Sequence, residues 1–105
     1  MKFKYRPLPD LVTIKPSKID GLGLFATQDI PKPRIIGRSH VQFTDEWERT
    51  PVGGFLNHSD NPNCELCLEL DWDDYRTYNV YTTIDVYEGE ELTLNYHSDD
   101  LKYAD

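Results

Sequence analysis

Three consecutive residues, Asn57, His58 and Ser59, set an amide, an imidazole and a hydroxyl side by side, directly after Phe55 and Leu56. A core has no use for polar groups at that density. Each needs a hydrogen-bonding partner, and a ligand could supply it. They lie in the run GFLNHSDNPN (Gly54 to Asn63), and a second run, EGEELTLNY (Glu88 to Tyr96), follows about a third of the chain later. In that second run Leu92, Leu94 and Tyr96 alternate onto one strand face. The Tyr96 phenol then ends an apolar row, with a hydroxyl that must find a partner if buried. The two runs together suggest one site assembled from distant parts of a small domain. In isolation, an Asn-His pair also serves in satisfied loop networks, and a strand-end tyrosine is usually core or surface.

Cys64 and Cys67 could form a metal or redox pair, but their setting, CELCLELD, argues otherwise. Strand alternation puts Leu66, Leu68 and Leu70 on one face and Glu65, Cys67, Glu69 and Asp71 on the other. The two thiols then point to opposite faces, wrong for chelation or a disulfide, and no second pair exists to complete a four-ligand zinc site. Two reduced thiols and no metal are expected.

The elements that must position these groups are short. Residues 1–10, with Pro7 and Pro9 among charges, read as an extended arm, and Val12 to Lys15 alternate as a strand. Pro16 to Gly21 is turn material. It leads into the apolar segment Leu22 to Ala26, whose internal Gly23 marks close backbone approach. Asp29 to Pro33 breaks the chain again before Arg34 to Gly37. Phe43 to Arg49 is the best helical candidate, with Thr44 as a cap and Asp45 and Glu46 in the first turn. Leu66 to Leu70 and Asn79 to Tyr87 read as strands, the first leaving through a hairpin-like Asp71 to Asp74. Glu88-Gly89 then turns the chain into Leu92 to Tyr96. Many short strands with Gly and Pro punctuation predict a mainly β fold.

At 105 residues the chain is one domain, and any site must use its single core. The balance of 19 acidic against 11 basic residues, net −8, argues against a nucleic-acid partner. It suits a lysine-rich or otherwise cationic protein, or simply solubility. No secretory signal and no bilayer-length apolar segment is visible, so a soluble, intracellular protein without membrane attachment is expected.

Three stretches in order, DGLGLFA (Asp20 to Ala26), GGFLNHSDNPNC (Gly53 to Cys64) and GEELTLNY (Gly89 to Tyr96), resemble the SET domain of protein lysine methyltransferases. The flanking ATQDIP and TTIDVYEGEEL also look like that family's connecting segments. The resemblance covers roughly residues 11–97 and leaves 98–105 as a short tail. Any one motif would be weak; three in order are strong. It implies a β-clip fold of small curled sheets in which the Asn-His-Ser segment and the final strand cross in a pseudoknot. It further implies that the backbone of Asp20, Gly21, Leu22 and Gly23 cradles S-adenosylmethionine and that Asn57 and His58 hold its amino-acid and adenine portions. Tyr96 corresponds to the active-site tyrosine. The implied reaction is displacement of the sulfonium methyl by a neutral lysine ε-amine.

The chain departs from the family in three places. Only fifteen residues separate Gly37 from Gly53, where a longer helical insert usually shapes the substrate groove and supplies a tyrosine. Here Phe43 and Trp47 are the large aromatics, and a homodimer is one way to complete the lysine channel. Asp60 stands where a zinc-binding cysteine commonly follows Asn-His-Ser, so no zinc module after the domain is expected; Tyr103 of the tail could cover the adenine instead. Leu94 replaces the aromatic that influences how many methyls are added. The pared-down form fits a viral or bacterial chain. Three functions compete: a minimal lysine methyltransferase, a non-catalytic SET-like module that binds a protein partner with or without the cofactor, and a β-structural protein whose motifs serve folding alone.

Overall fold

The computed structural model describes residues 8–96. In chain order these form β1 (Val12–Pro16), β2 (Leu22–Ala26), β3 (Ile35–Phe43), β4 (Glu46–Arg49), α1 (Pro51–Gly54), β5 (Asn57–His58), β6 (Cys64–Trp72), β7 (Tyr75–Thr82) and β8 (Glu91–Leu94). The turn between β1 and β2 closes where Ser17 N–H donates to Gly21 O at 2.8 Å. Gly21 adopts φ +43° there, a conformation that side chains resist. β1 and β2 pair antiparallel, with Ile14 opposite Leu24.

β8 joins the far side of β2 in antiparallel register, Leu24 opposite Leu92. On its other edge it takes β5 in parallel, Asn57 opposite Thr93 and His58 opposite Leu94. The first sheet therefore runs β1-β2-β8-β5, and the second runs β4-β3-β7-β6. The mainly β expectation holds, with two small sheets and a single helical turn among the described residues. The β5–β8 pair sets the Asn-His-Ser run beside the strand that leads to Tyr96.

Apolar residues from both sheets meet in one core: Val12, Leu24, Leu92 and Leu94 from the first, Ile36, Leu66 and Val80 from the second, with Val52 and Leu56 between. Full burial of each such side chain is worth roughly 1.5–3 kcal/mol. Cys64 is buried among them, and desolvation pushes its thiol up to about 12, so it stays protonated; Cys67 is half-buried, and both are free thiols. Ser39 and His40 form a polar inclusion, with His40 Nδ1 and Ser39 Oγ 2.9 Å apart.

Several sequence expectations are corrected. Phe43 to Arg49 is not a helix: β3 and β4 form a hairpin through Thr44-Asp45, with Phe43 opposite Glu46 and Gln42 opposite Trp47. Thr44 takes φ 59°, and its N–H donates to Asp74 O at 2.7 Å, tying this hairpin to the β6–β7 hairpin. The helical turn lies just beyond, where Thr50 caps α1 by accepting from Gly53 N–H and Pro51 opens it. Asn79 to Tyr87 is not one strand either. β7 ends at Thr82, Thr83 N–H turns to Asn63 O, and Val86 returns to bridge Ile30. The Leu66, Leu68, Leu70 row is broken by a register shift between Leu68 and Leu70. Past Leu66 the β6–β7 hairpin outruns the core, leaving Leu68 50% and Trp72 69% exposed. The hairpin at Asp71 to Asp74 is as expected.

Candidate functional site

Asn57 is held from three sides. Its Nδ2 donates to the backbone oxygens of Asp20 at 3.1 Å and Leu22 at 3.2 Å, and to Glu91 Oε2 at 2.8 Å. Glu91 also accepts from Ser17 Oγ, at 2.8 and 2.9 Å to its two oxygens. One carboxylate thereby joins the β1–β2 turn, β5 and β8. Gly23 makes room for it: a Cβ there would sit 2.8 Å from Glu91 Cδ and 3.1 Å from Ser17 Cβ. The close approach expected at Gly23 is thus with Glu91. The Asn57 Oδ1 has no partner among the described residues and remains able to accept.

The imidazole of His58 stands behind Tyr96. Tyr96 backbone N–H donates to His58 Nδ1 at 3.0 Å, so the ring proton resides on Nε2, which donates to Asp60 Oδ1 at 3.0 Å. The His58 and Tyr96 rings are 5.4 Å apart at a tilt of 56°. The Tyr96 hydroxyl donates to Leu56 O, which leaves its lone pairs as acceptors. Desolvation raises its pKa, with a smaller raising effect from Asp20; Arg49 pulls the other way. Tyr96 is therefore a neutral phenol at physiological pH, suited to orienting rather than abstracting protons.

A cleft of about 440 Å³ opens in front of this framework, lined by Asp20, Gly21, Leu22, Arg49, Gly54, Phe55, Asn57 and Tyr96. Of the residues singled out from sequence, Asp20, Gly21, Leu22, Asn57 and Tyr96 share this wall. Gly23 and the His58 ring lie behind it as supports, and Tyr103 falls outside the described residues. The sequence reading missed Arg49, Gly54, Glu91 and Asn63. Asn63 brackets β8, donating from Nδ2 to Glu91 O at 2.8 Å and accepting Thr93 N–H at Oδ1 at 2.9 Å. Its place in the same polar run was the available signal. Arg49 carried none, because its segment read as helix.

The chemistry of this wall fits S-adenosylmethionine. Gly21 and Gly54 face open space where a Cβ would meet nothing within 4 Å, so a ligand can lie against bare backbone. Acceptor oxygens on Asn57 and Tyr96, one cation and one anion complete a lining suited to a charged, amino-acid-bearing molecule.

Fold and wall together describe a SET domain. The family model "SET domain" matches residues 40–97, more than half of the chain, and the chain belongs to that family. It is 38% identical over 58 residues to the histone-lysine N-methyltransferase, H3 lysine-36 specific, of Cryptococcus neoformans, an alignment covering 55% of this chain and 7% of that protein. To the protein of the same description from Mycosarcoma maydis it is 28% identical over 131 aligned positions, 93% of this chain and 13% of the other. The chain thus spans a small fraction of these relatives. A Plasmodium falciparum protein assigned as a histone methyltransferase superposes with TM-score 0.70 at 21% identity, over 84% of this chain and 95% of that one.

Proposed function

We propose that this domain is an S-adenosylmethionine-dependent protein lysine N-methyltransferase. The observation that carries the reading is the convergence of Asn57, bare Gly21 and Gly54 backbone and the Tyr96 hydroxyl on one cleft. The histone-lysine methyltransferases among its relatives support the same class. When bound, the cofactor supplies an electrophilic methyl on a sulfonium. Asp20, Gly21, Leu22, Gly54 and Asn57 would hold it, and the wall's contribution is alignment, which for a well-oriented pair is worth roughly 7–11 kcal/mol.

Tyr96 is held by Leu56 O and His58, and with its proton committed to Leu56 the phenol oxygen meets other groups through its lone pairs. They can accept from a lysine amine or a polarised methyl without taking a proton away. A free lysine has a pKa of about 10.4, so the incoming amine must lose its proton. Partial desolvation beside Phe55 would favour the neutral amine, as would the positive charge that the cofactor brings. The acidic surface, net −8, suits a substrate lysine within a basic protein segment.

Radiolabelled methyl transfer from S-adenosylmethionine into a lysine-rich peptide library tests this. Incorporation is expected at lysine, and Tyr96→Phe should lower it at least about tenfold while leaving cofactor affinity within a factor of about three. Undiminished transfer by Tyr96→Phe overturns the role of the tyrosine. Absence of any transfer by folded, cofactor-bound protein overturns the activity.

A further inference from the structure

Arg49 closes β4 and forms part of the cleft wall, arriving from the second sheet, whereas Asp20 reaches the same cleft from the β1–β2 turn of the first. Other arginines of the second sheet are neutralised: Arg38 Nε lies 2.8 Å from Glu69 and Arg76 Nε lies 2.9 Å from Asp71. Arg49 has no hydrogen-bond or ion-pair partner among the described residues, and it does not pair with Asp20. The Asp20 carboxylate likewise has no hydrogen-bond or ion-pair partner among the described residues, and only its backbone oxygen is taken, by Asn57. One cation and one anion therefore line a single cleft without satisfying each other. Asn57, whose Oδ1 accepts from no described residue, lines the same cleft.

Both charges line one cleft of about 440 Å³, so a small ligand that answers both carries an anion and a cation on one molecule, which is the chemistry of an α-amino acid. We propose that Arg49 and Asp20 clamp the amino-acid end of the cofactor, Arg49 taking its carboxylate and Asp20, with Asn57 Oδ1, its ammonium. The assignment rests on the proposed cofactor and specifies how this chain distinguishes it. A guanidinium presents a planar fork that matches a carboxylate in two parallel bonds, giving orientation as well as attraction. The β3–β4 hairpin thereby supplies a charged finger to the cleft from the segment that read as helix.

Isothermal titration of the full chain with S-adenosylmethionine and with its decarboxylated analogue, which keeps the sulfonium and ammonium, tests the clamp. The wild type should prefer the carboxylate-bearing ligand by about tenfold, the scale of a partly exposed charge-assisted pair. Arg49→Met should abolish that preference by weakening S-adenosylmethionine alone, with Arg49→Lys between the two. Asp20→Asn should weaken both ligands. If Arg49→Met lowers both affinities equally, or neither, the clamp is wrong while the cofactor assignment stands. If the folded wild type binds neither ligand, the cofactor assignment falls and the clamp with it. Arg49 is exposed on an edge strand, and an unchanged urea midpoint would show that Arg49→Met leaves the fold intact.

Discussion

His40 makes the stability of this domain depend on pH in a defined window. Its ring is fully buried on β3 and lies edge-on to Trp47 at 6.3 Å; burial and then the Arg49 charge push its pKa down to about 4. An unfolded histidine titrates near 6.5, so between about pH 6.5 and 4 the unfolded chain binds a proton that the native chain refuses. Stability is therefore complete above neutrality, falls as pH drops through this window, and levels off below it. A gap of about 2.5 pKa units corresponds to roughly 3 kcal/mol in all, of which about 2 kcal/mol is lost by pH 5. That is a large share of the roughly 5–15 kcal/mol expected of a domain.

Glu69, held down by Arg38 and Thr77, starts to lose its contribution only as pH falls through the ordinary carboxylate value toward its own lower one. The interval from pH 7.5 to 5 thus isolates His40 from it. Urea unfolding followed by tryptophan fluorescence should show the midpoint falling by about 1 M over that interval, for a slope near 2 kcal/mol/M. His40→Leu should flatten the dependence whatever its absolute stability. A midpoint that stays constant from pH 7.5 to 5 in the wild type, or a slope that survives in His40→Leu, would refute the reasoning.

Adjacent glycines should behave oppositely on substitution. A Cβ at Gly53 would lie 2.8 Å from the Ser39 carbonyl carbon, on backbone that cannot step aside, so Gly53→Ala should cost about 1–3 kcal/mol in urea unfolding. Gly54→Ala meets nothing within 4 Å and should keep the fold while weakening cofactor binding, since its methyl enters the cleft. Asn63→Ala removes both of its bonds to β8 and should destabilise by about 1–3 kcal/mol in the same assay. Gly23→Ala should destabilise by dislodging the Glu91 carboxylate; added to Glu91→Ala it should cost little more, and full additivity in that cycle would count against the contact.

Much of this architecture was legible because punctuation and alternation agree. Gly21 and the Pro16-Ser17 break delimit β1 and β2, and the Asp73-Asp74 turn joins β6 to β7 as alternation suggested. The Phe43 to Arg49 segment misled because Thr44, Asp45 and Glu46 satisfy helix-start preferences, whereas the deciding bond runs from Thr44 N–H to Asp74 O, across thirty residues. Local propensity contains no trace of that partner. The true helical turn did carry its signal, a Thr-Pro pair at Thr50-Pro51, but four residues are too few for a periodic pattern. At the site, the polar run pointed to Asn57 and the family resemblance to Tyr96. Glu91 and Arg49 escaped because a lone charge on a short strand looks the same whether it faces solvent, a buried amide or a cleft.

The most direct measurement of the central claim is amide chemical-shift mapping of the labelled domain during titration with S-adenosylhomocysteine, which shares the cofactor's skeleton. The account predicts saturable shifts concentrated at Gly21, Leu22, Gly54 and Asn57, with Tyr96 following. Absence of shifts in folded protein would contradict it. So would shifts confined to the separate apolar cleft formed by Pro33, Ile35, Cys67 and Tyr81.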